Sequence, residues 1–258
     1  MALGEEVVLV TGSAKGIGRA VATAFARKGC RVVLNSVSDE IAGTQAVRAI
    51  TDAGGDARYL QADVTDPDDV ERLFAFAEST FGTVGILVNN AGRTEPAPFL
   101  PVDGSEPDLT ATRDHWTKML GVNLLATVLC SQRAAPRMMA KGNGAIINTS
   151  SIRGFDANGR EGVMAYSAAK AGVHNITRTL AKELAPAVRV NAVAPGFVAT
   201  SYMDRTDDEL KQSWLDTIPL ERFITPDEAA QAYVYLAESP VATGTILTLD
   251  AGFTLGRG

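Results

Sequence analysis

Seven short apolar runs recur along the chain, at 7–10, 31–34, 57–60, 86–88, 145–148, 188–193 and 245–249. Segments of helical periodicity separate most of them. Strands that alternate with helices pair in parallel, because the intervening helix carries the chain back to the edge where the previous strand began. Runs such as Val7-Val8-Leu9-Val10 and Ile86-Leu87-Val88 are apolar on both faces, as befits central strands covered by helices above and below. The pattern predicts an α/β fold: a doubly wound parallel sheet of about seven strands. A chain of 258 residues with 46% hydrophobic content can bury one large core, so a single domain over 1–258 is expected.

Helix starts are legible in two places. Asp66-Pro67-Asp68-Asp69 and Thr225-Pro226-Asp227-Glu228 each place a capping side chain before a proline and acids in the first turn. Two stretches break the rhythm: 93–113, which holds Pro96, Pro98, Pro101 and Pro107, and 195–208. Long irregular segments in a compact domain are often functional.

The net charge of −6, with no Lys/Arg block, argues against nucleic acid or an anionic membrane surface as a partner and favours a small molecule. Cys30 and Cys130 are far apart in apolar runs and read as packed thiols, which suits a reducing cytoplasm. No segment reaches transmembrane length, and residues 7–10 read as a first strand rather than as a signal segment. No metal site is expected.

Thr11-Gly12-Ser13-Ala14-Lys15-Gly16-Ile17-Gly18 follows the first strand and opens a helix over 19–28. In that context Gly12 suits a sharp turn, Gly16 a close approach to pyrophosphate and Gly18 tight helix packing, while the helix N-terminus presents amides to an anion. The second strand ends Leu34-Asn35-Ser36-Val37, without the carboxylate that would select the ribose hydroxyls of NAD. Asn35 and Ser36 can hydrogen-bond a 2′-phosphate, and Lys15 adds positive charge, so NADP(H) is favoured over NAD(H). Asp39, three positions beyond Ser36, keeps NAD open as the alternative.

Tyr166 and Lys170 lie four residues apart in Ala165-Tyr166-Ser167-Ala168-Ala169-Lys170, which reads as helix, so both side chains share one face. A free phenol has a pKa of about 10, and a neighbouring ammonium favours its ionised form. The pair is therefore a candidate for proton transfer.

These motifs, taken in order with Asp63-Val64, Asn89-Asn90-Ala91-Gly92, Asn123, Ser150-Ser151 and Pro195-Gly196, resemble the short-chain dehydrogenase/reductase family over nearly the whole chain. Ile146-Ile147-Asn148-Thr149-Ser150-Ser151 and Asn191-Ala192-Val193-Ala194-Pro195-Gly196-Phe197 resemble its 3-oxoacyl-[acyl-carrier-protein] reductase-like branch. The resemblance implies hydride transfer between a nicotinamide and a carbonyl or secondary alcohol, with 3-oxoacyl-thioester reduction as one form. It assigns Tyr166 as general acid/base, Lys170 to its pKa and the nicotinamide ribose, Ser151 to the substrate carbonyl, and Asn123 to a water joining Lys170 to solvent. Asp63 and Val64 would meet the adenine, Asn90 its ribose, and Val198 with Thr200 the carboxamide. Ala91, Gly92, Pro195 and Gly196 would complete the cofactor site. A homotetramer built on the helices of Asn123 and Tyr166 and on the last strand near Leu247 is implied as well.

The substrate cleft is expected after Ser151, after Asn90 and within a substrate loop at about 195–217. Arg93, Arg153 and Arg160 could pair with a carboxylate or phosphate, and Phe155, Tyr202, Met203 and Trp214 could cover an apolar body. His115 and His174 read as structural. Two other readings stand beside the main one: an NAD-dependent alcohol or sugar dehydrogenase, and a dinucleotide-sensing protein without turnover, whose expected signature is loss of the catalytic set.

Overall fold

The computed structural model describes residues 3–155, 162–201 and 203–255. All seven expected strands form and join one parallel sheet: β1 Val7–Val10, β2 Arg31–Ser36, β3 Asp56–Gln61, β4 Val84–Asn89, β5 Gly144–Thr149, β6 Val188–Pro195 and β7 Ile246–Leu249, in the order β3-β2-β1-β4-β5-β6-β7. Chain order reverses between β1 and β4, so the loops at their C-terminal ends diverge and leave a crevice.

Side-chain alternation divides the core into two layers. Val8 and Val10 of β1 pack with Val21 and Phe25 of α1 (Gly16–Arg27) and with Tyr233 and Leu236 of the last long helix, Pro226–Glu238. Val7 and Leu9 point the other way, against Leu73 and Phe74 of Pro67–Phe81 and Met138 of Ala126–Lys141. Both faces are buried, and continuously apolar strands follow from that.

After α1 the helices are α2 (Glu40–Asp52), α3 (Pro67–Phe81), α4 (Leu109–Leu120), α5 (Ala126–Lys141), α6 (Met164–Glu183), α7 (Asp208–Leu215) and α8 (Pro226–Glu238). The caps expected from sequence are present: Asp66 accepts from the amides of Asp68 and Asp69, and Thr225 and Glu228 form a reciprocal capping box.

Two expectations on helices are corrected. Helix α1 begins at Gly16 rather than Arg19, because the glycine turn runs directly into it. The irregular stretch after Arg93 ends at Asp108, which caps α4 by accepting from Thr110 and Ala111. Met119 is the one buried residue of α4, so that helix has almost no apolar stripe to betray it in the sequence. Asn123 lies inside a long helix as expected, at a π-helical turn, Gly121–Leu125, through which α4 runs on into α5 without a break. Such turns change the direction of the side chains they carry and are frequent at functional sites.

Cys30 and Cys130 are buried, unpaired thiols, and burial pushes each thiol pKa up to about 12. Among the described residues no helix is long and apolar enough to cross a membrane, and no cluster of potential metal ligands occurs.

Candidate active site

A cleft of about 930 Å³ opens at the C-terminal edge of the sheet, and Gly12, Gly16, Gly18, Asn90 and Gly92 line its floor. The turn after β1 is stitched to the turn after β4. Asn90 Nδ2 donates to the carbonyls of Thr11 and Gly12, each at 3.0 Å, and Thr11 Oγ1 accepts from the amides of Asn90 and Ala91, each at 3.0 Å. Gly12 has φ +62°, and a Cβ there would lie 2.7 Å from Cα of Ala91. A Cβ on Gly18 would overlap Asn90 Nδ2 and the Gly12 carbonyl, so the helix could not pack this close with any larger residue. Helix α1 starts without a side-chain cap. Its first amides face a cleft whose shape and donors fit a dinucleotide pyrophosphate.

Two residues expected at this site are turned into the protein. Ser13 is fully buried: its Oγ donates to the Val10 carbonyl at 2.6 Å and accepts from the Asn35 amide at 2.9 Å. Asn35 is 1% exposed, and its Nδ2 donates to the carbonyls of Leu60 and Ala62. Neither side chain reaches a 2′-phosphate; they clamp β1 to β2 and β2 to β3 instead. Ser36 remains at the rim, with its Oγ 2.8 Å from the Tyr59 hydroxyl. Lys15 Nζ lies 3.6 Å from the Asp39 carboxylate, whose other oxygen caps α2 at the Ala42 amide. Asp63 Oδ1 accepts from the amide and hydroxyl of Thr65, which shapes the turn after β3, and Val64 is buried beside it.

At the far end of the cleft, Gly92, Asn123 and Lys170 converge. A Cβ on Gly92 would lie 2.8 Å from Asn123 Oδ1 and 3.6 Å from Lys170 Nζ. The π turn aims Asn123 at the chain just past β4: Oδ1 accepts from the Arg93 amide at 3.1 Å, and Nδ2 donates to the carbonyls of Arg93 at 2.9 Å and Met119 at 3.0 Å. Lys170 is 3% exposed; its Nζ donates to the Thr149 carbonyl at 2.8 Å and lies 5.6 Å from the Tyr166 ring centroid. Burial pushes the Lys170 ammonium pKa down to about 8. The shared helical face read from the sequence is therefore real, and it faces the cleft.

Tyr166 also lines a second, smaller cavity of about 240 Å³, together with Ser151, Arg153, Val198, Phe197 and Trp214. The two hydroxyls after β5 differ: Ser150 Oγ donates to the Lys170 carbonyl at 3.2 Å, whereas Ser151 Oγ accepts from the Arg153 amide at 3.2 Å and donates to no group among the described residues. Pro195, Gly196, Val198 and Thr200 lie along the same wall, and Thr200 and Ile17 belong to both cavities.

Of the residues expected to shape the substrate pocket, Arg153, Met203 and Trp214 line the small cavity. Phe155 instead packs against His174, with ring centroids 4.5 Å apart. Arg93 is ion-paired with Glu95, which also accepts Lys118 Nζ at 2.8 Å. Arg160 and Tyr202 lie outside the described residues. His174 is buried, and its Nε2 has no hydrogen-bond partner among the described residues. Burial, with Arg178 and Lys170 nearby, pushes its pKa down to about 4.

Sequence reasoning missed Thr149 and Tyr233. Thr149 lines both cavities, and its carbonyl holds Lys170. Its hydroxyl lies 2.8 Å from that of Tyr233, a phenol at 0% exposure whose pKa burial raises. A threonine ending a buried strand one residue before the serine pair was a usable signal. Tyr233 carried none, because only the fold brings α8 under β5.

The family model described as enoyl-(acyl carrier protein) reductase matches residues 12–254. A cis-4-hydroxycyclohexanecarboxylate dehydrogenase of Sinomonas cyclohexanicum is 38% identical over 98% of this chain and 98% of its own length. A 3-oxoacyl-[acyl-carrier-protein] reductase of Synechocystis is 38% identical over 98% of this chain and 99% of its own. A solved structure described as a putative gluconate dehydrogenase from Agrobacterium tumefaciens superposes with a TM-score of 0.87 at 31% identity, covering 97% of this chain and 96% of that one. A structure of gox2181 superposes at 0.88 with 32% identity, covering 98% and 96% of the two chains. The fold and the site define a dinucleotide-dependent oxidoreductase of the Rossmann type. The chain belongs to the short-chain dehydrogenase/reductase family and, like its relatives, acts between CH–OH and C=O with a nicotinamide cofactor.

Proposed function

We propose that the protein catalyses reversible, NADP(H)-preferring hydride transfer to a ketone, with Tyr166 as proton donor. The convergence of Gly92, Asn123 and Lys170 at the inner end of the cleft, with Tyr166 shared between cleft and small cavity, carries this reading. A nicotinamide held in this cleft would supply the hydride. Ser151 donates a hydrogen bond to the carbonyl oxygen, where negative charge develops, and Tyr166 delivers its proton to the same oxygen. Lys170 stabilises the phenolate left behind, and Asn123, fixed by its backbone bonds, holds the solvent connection through which the proton is replaced. Alcohol oxidation runs the same steps backwards.

Residues Gly12, Gly16, Ile17, Gly18, Asn90, Ala91 and Gly92 would hold the pyrophosphate and adenine ribose, Asp63 and Val64 the adenine, and Pro195, Gly196, Val198 and Thr200 the nicotinamide end. Lys15 and Ser36 at the open rim support selection of the 2′-phosphate, since the β2 end carries no carboxylate. The whole chain would work as one Rossmann domain, supported by its single sheet. It would assemble as a homotetramer, supported by β7 at the sheet edge and by exposed Leu125 and Met164 at the starts of α5 and α6.

Absorbance at the reduced-nicotinamide band, with NADPH against NADH and a panel of ketones, tests this. Equal use of NADH sinks the cofactor preference. Saturable NADPH binding with no turnover of any ketone or alcohol sinks the mechanism in favour of a sensing role. The relatives named 3-oxoacyl-[acyl-carrier-protein] reductases favour a second reading, in which the ketone is a 3-oxoacyl thioester; acetoacetyl thioesters in the same panel decide it.

A further inference from the structure

We propose that Phe253, in the turn Phe253–Leu255 after β7, sets the size of the substrate cavity, and that the cavity therefore selects compact ketones built on one six-membered ring over bulkier ones. This rests on the dehydrogenase reading above and names the substrate class for the same site. The cavity that holds Ser151 and Tyr166 measures about 240 Å³, and Phe197, Met203 and Trp214 form part of its wall. Cavities for drug-sized ligands run at about 300–1,000 Å³, so this one suits a smaller body.

Phe197 is packed against three other aromatic rings. It is stacked on Trp214 with centroids 4.6 Å apart, tilted against Phe223 at 6.2 Å and met edge-on by Phe253 at 5.0 Å. The Arg153 guanidinium carbon lies 5.7 Å from the Phe197 centroid and 5.6 Å from that of Phe253, so the cation spans both rings. Stacked and edge-to-face pairs are preferred aromatic geometries, which fix a ring's orientation as well as burying it. Phe253 is not one of the described residues lining the cavity, so it acts from behind and holds Phe197 in the wall.

The backbone around Phe253 is tied to both segments that carry that wall. The Gly196 amide, next to Phe197, donates to the Leu249 carbonyl at 2.9 Å, and the Leu220 amide, beyond α7 and Trp214, donates to the Ala251 carbonyl at 3.2 Å. Asp250 closes the turn: Oδ1 accepts from the Gly252 amide at 3.0 Å, and Oδ2 accepts from the amide and hydroxyl of Thr254 at 2.8 and 2.6 Å. Gly252 has φ +88°, and a Cβ there would lie 2.9 Å from Cγ of Pro219, so only glycine brings the turn this close to the loop after α7. A ring carried on backbone fixed in this way resists pressure from a substrate pushing on Phe197. Without the Phe253 ring a void opens behind Phe197, and the wall can retreat into it while Ser151, Tyr166 and the cofactor cleft stay in place.

The test compares kcat/KM for cyclohexanone and 4-phenylcyclohexanone, with whichever of NADPH and NADH the protein uses better. The parent protein is expected to favour cyclohexanone by about 10-fold or more, the discrimination an apolar pocket achieves by size. Phe253→Ala should bring the ratio near one by lowering KM for the bulky ketone, and Phe253→Leu should give an intermediate ratio. In both variants kcat for cyclohexanone should stay within about twofold, because Phe253 touches no reacting group. Cofactor affinity measured on each variant shows that the fold persists, and if Phe253→Ala loses it, Phe253→Leu decides by the direction of the change in ratio.

Equal use of the two ketones by the parent, a ratio unchanged in the variants, or an equal loss on both ketones with cofactor affinity intact overturns the proposal. Reduction of other ketones but of neither ring compound overturns it as well, and in each of these cases the protein remains a dehydrogenase. Turnover of no ketone or alcohol at all removes the dehydrogenase reading, and this inference with it.

Discussion

Lys170 donates from Nζ to the Thr149 carbonyl at 2.8 Å while only 3% of its surface meets solvent. An ammonium in that position is pulled two ways: its partner holds it in place, and burial disfavours its charge, which brings the pKa down from 10.5 to about 8. The ammonium is charged below about pH 8 and loses its proton above it. Carbonyl reduction should therefore decline as pH rises past about 8, measured as kcat/KM against pH. The folded chain releases this proton near pH 8 and the unfolded chain near 10.5, so stability relative to Lys170→Met should rise between those values. A relative stability that stays level across that window would contradict the assigned burial.

Tyr166→Phe removes the proton donor and almost no volume. Turnover should fall by about 10²- to 10⁴-fold, the usual contribution of general acid catalysis, while NADPH affinity from fluorescence titration stays within about twofold. Retained turnover would remove Tyr166 from its role.

The two serines after β5 separate by chemistry. Ser151→Ala should lower kcat by about 10²- to 10³-fold, as loss of an oxyanion donor does. Ser150→Ala breaks a bond to the Lys170 carbonyl and should appear mainly as a stability loss of about 1 kcal/mol. Parallel kcat and urea-midpoint measurements on both variants check the assignment, and a larger kcat loss for Ser150→Ala reverses it.

Lys15→Ala should raise the KM for NADPH by about tenfold and leave that for NADH nearly unchanged, because only NADPH brings a phosphate to the rim. A shift of the same size for both cofactors would make Lys15 a general pyrophosphate contact. Its pairing with Asp39 predicts that Asp39→Asn strengthens NADPH binding.

His174 packs against Phe155, and its pKa is lowered from 6.5 to about 4. The neutral ring suits the fold above pH 6.5. As pH falls from 6.5 toward 4 the unfolded chain takes up the proton first, so stability is lost across that window. Urea midpoints should converge there with those of His174→Leu; a constant difference would mean the ring is not buried neutral.

Much of this site was legible before any fold was known. Tyr166 and Lys170 needed only helical spacing, and Gly12, Gly16 and Gly18 needed only a strand before them and a helix after. Asn35 and Ser36 show where that reading stopped. They are neighbours at a strand end and equally polar, yet Asn35 turns inward to the carbonyls of Leu60 and Ala62 while Ser36 stays at the rim. Strand alternation sends adjacent residues to opposite sides, and the choice of side depends on register with β3, which no local pattern encodes.

By itself the sequence determined the seven strands, the two-sided core and the glycine turn, because each follows from local periodicity or from a conformation only glycine adopts. Tertiary structure decided which polar groups the cleft receives. Sheet order places the end of β5 over α6 and α8, so that Thr149 meets Lys170 and Tyr233, residues 21 and 84 positions away. The π turn re-aims Asn123, and the packing of Phe197 and Phe253 fixes Arg153. These contacts join residues distant in sequence, and their geometry exists only once the layers have packed.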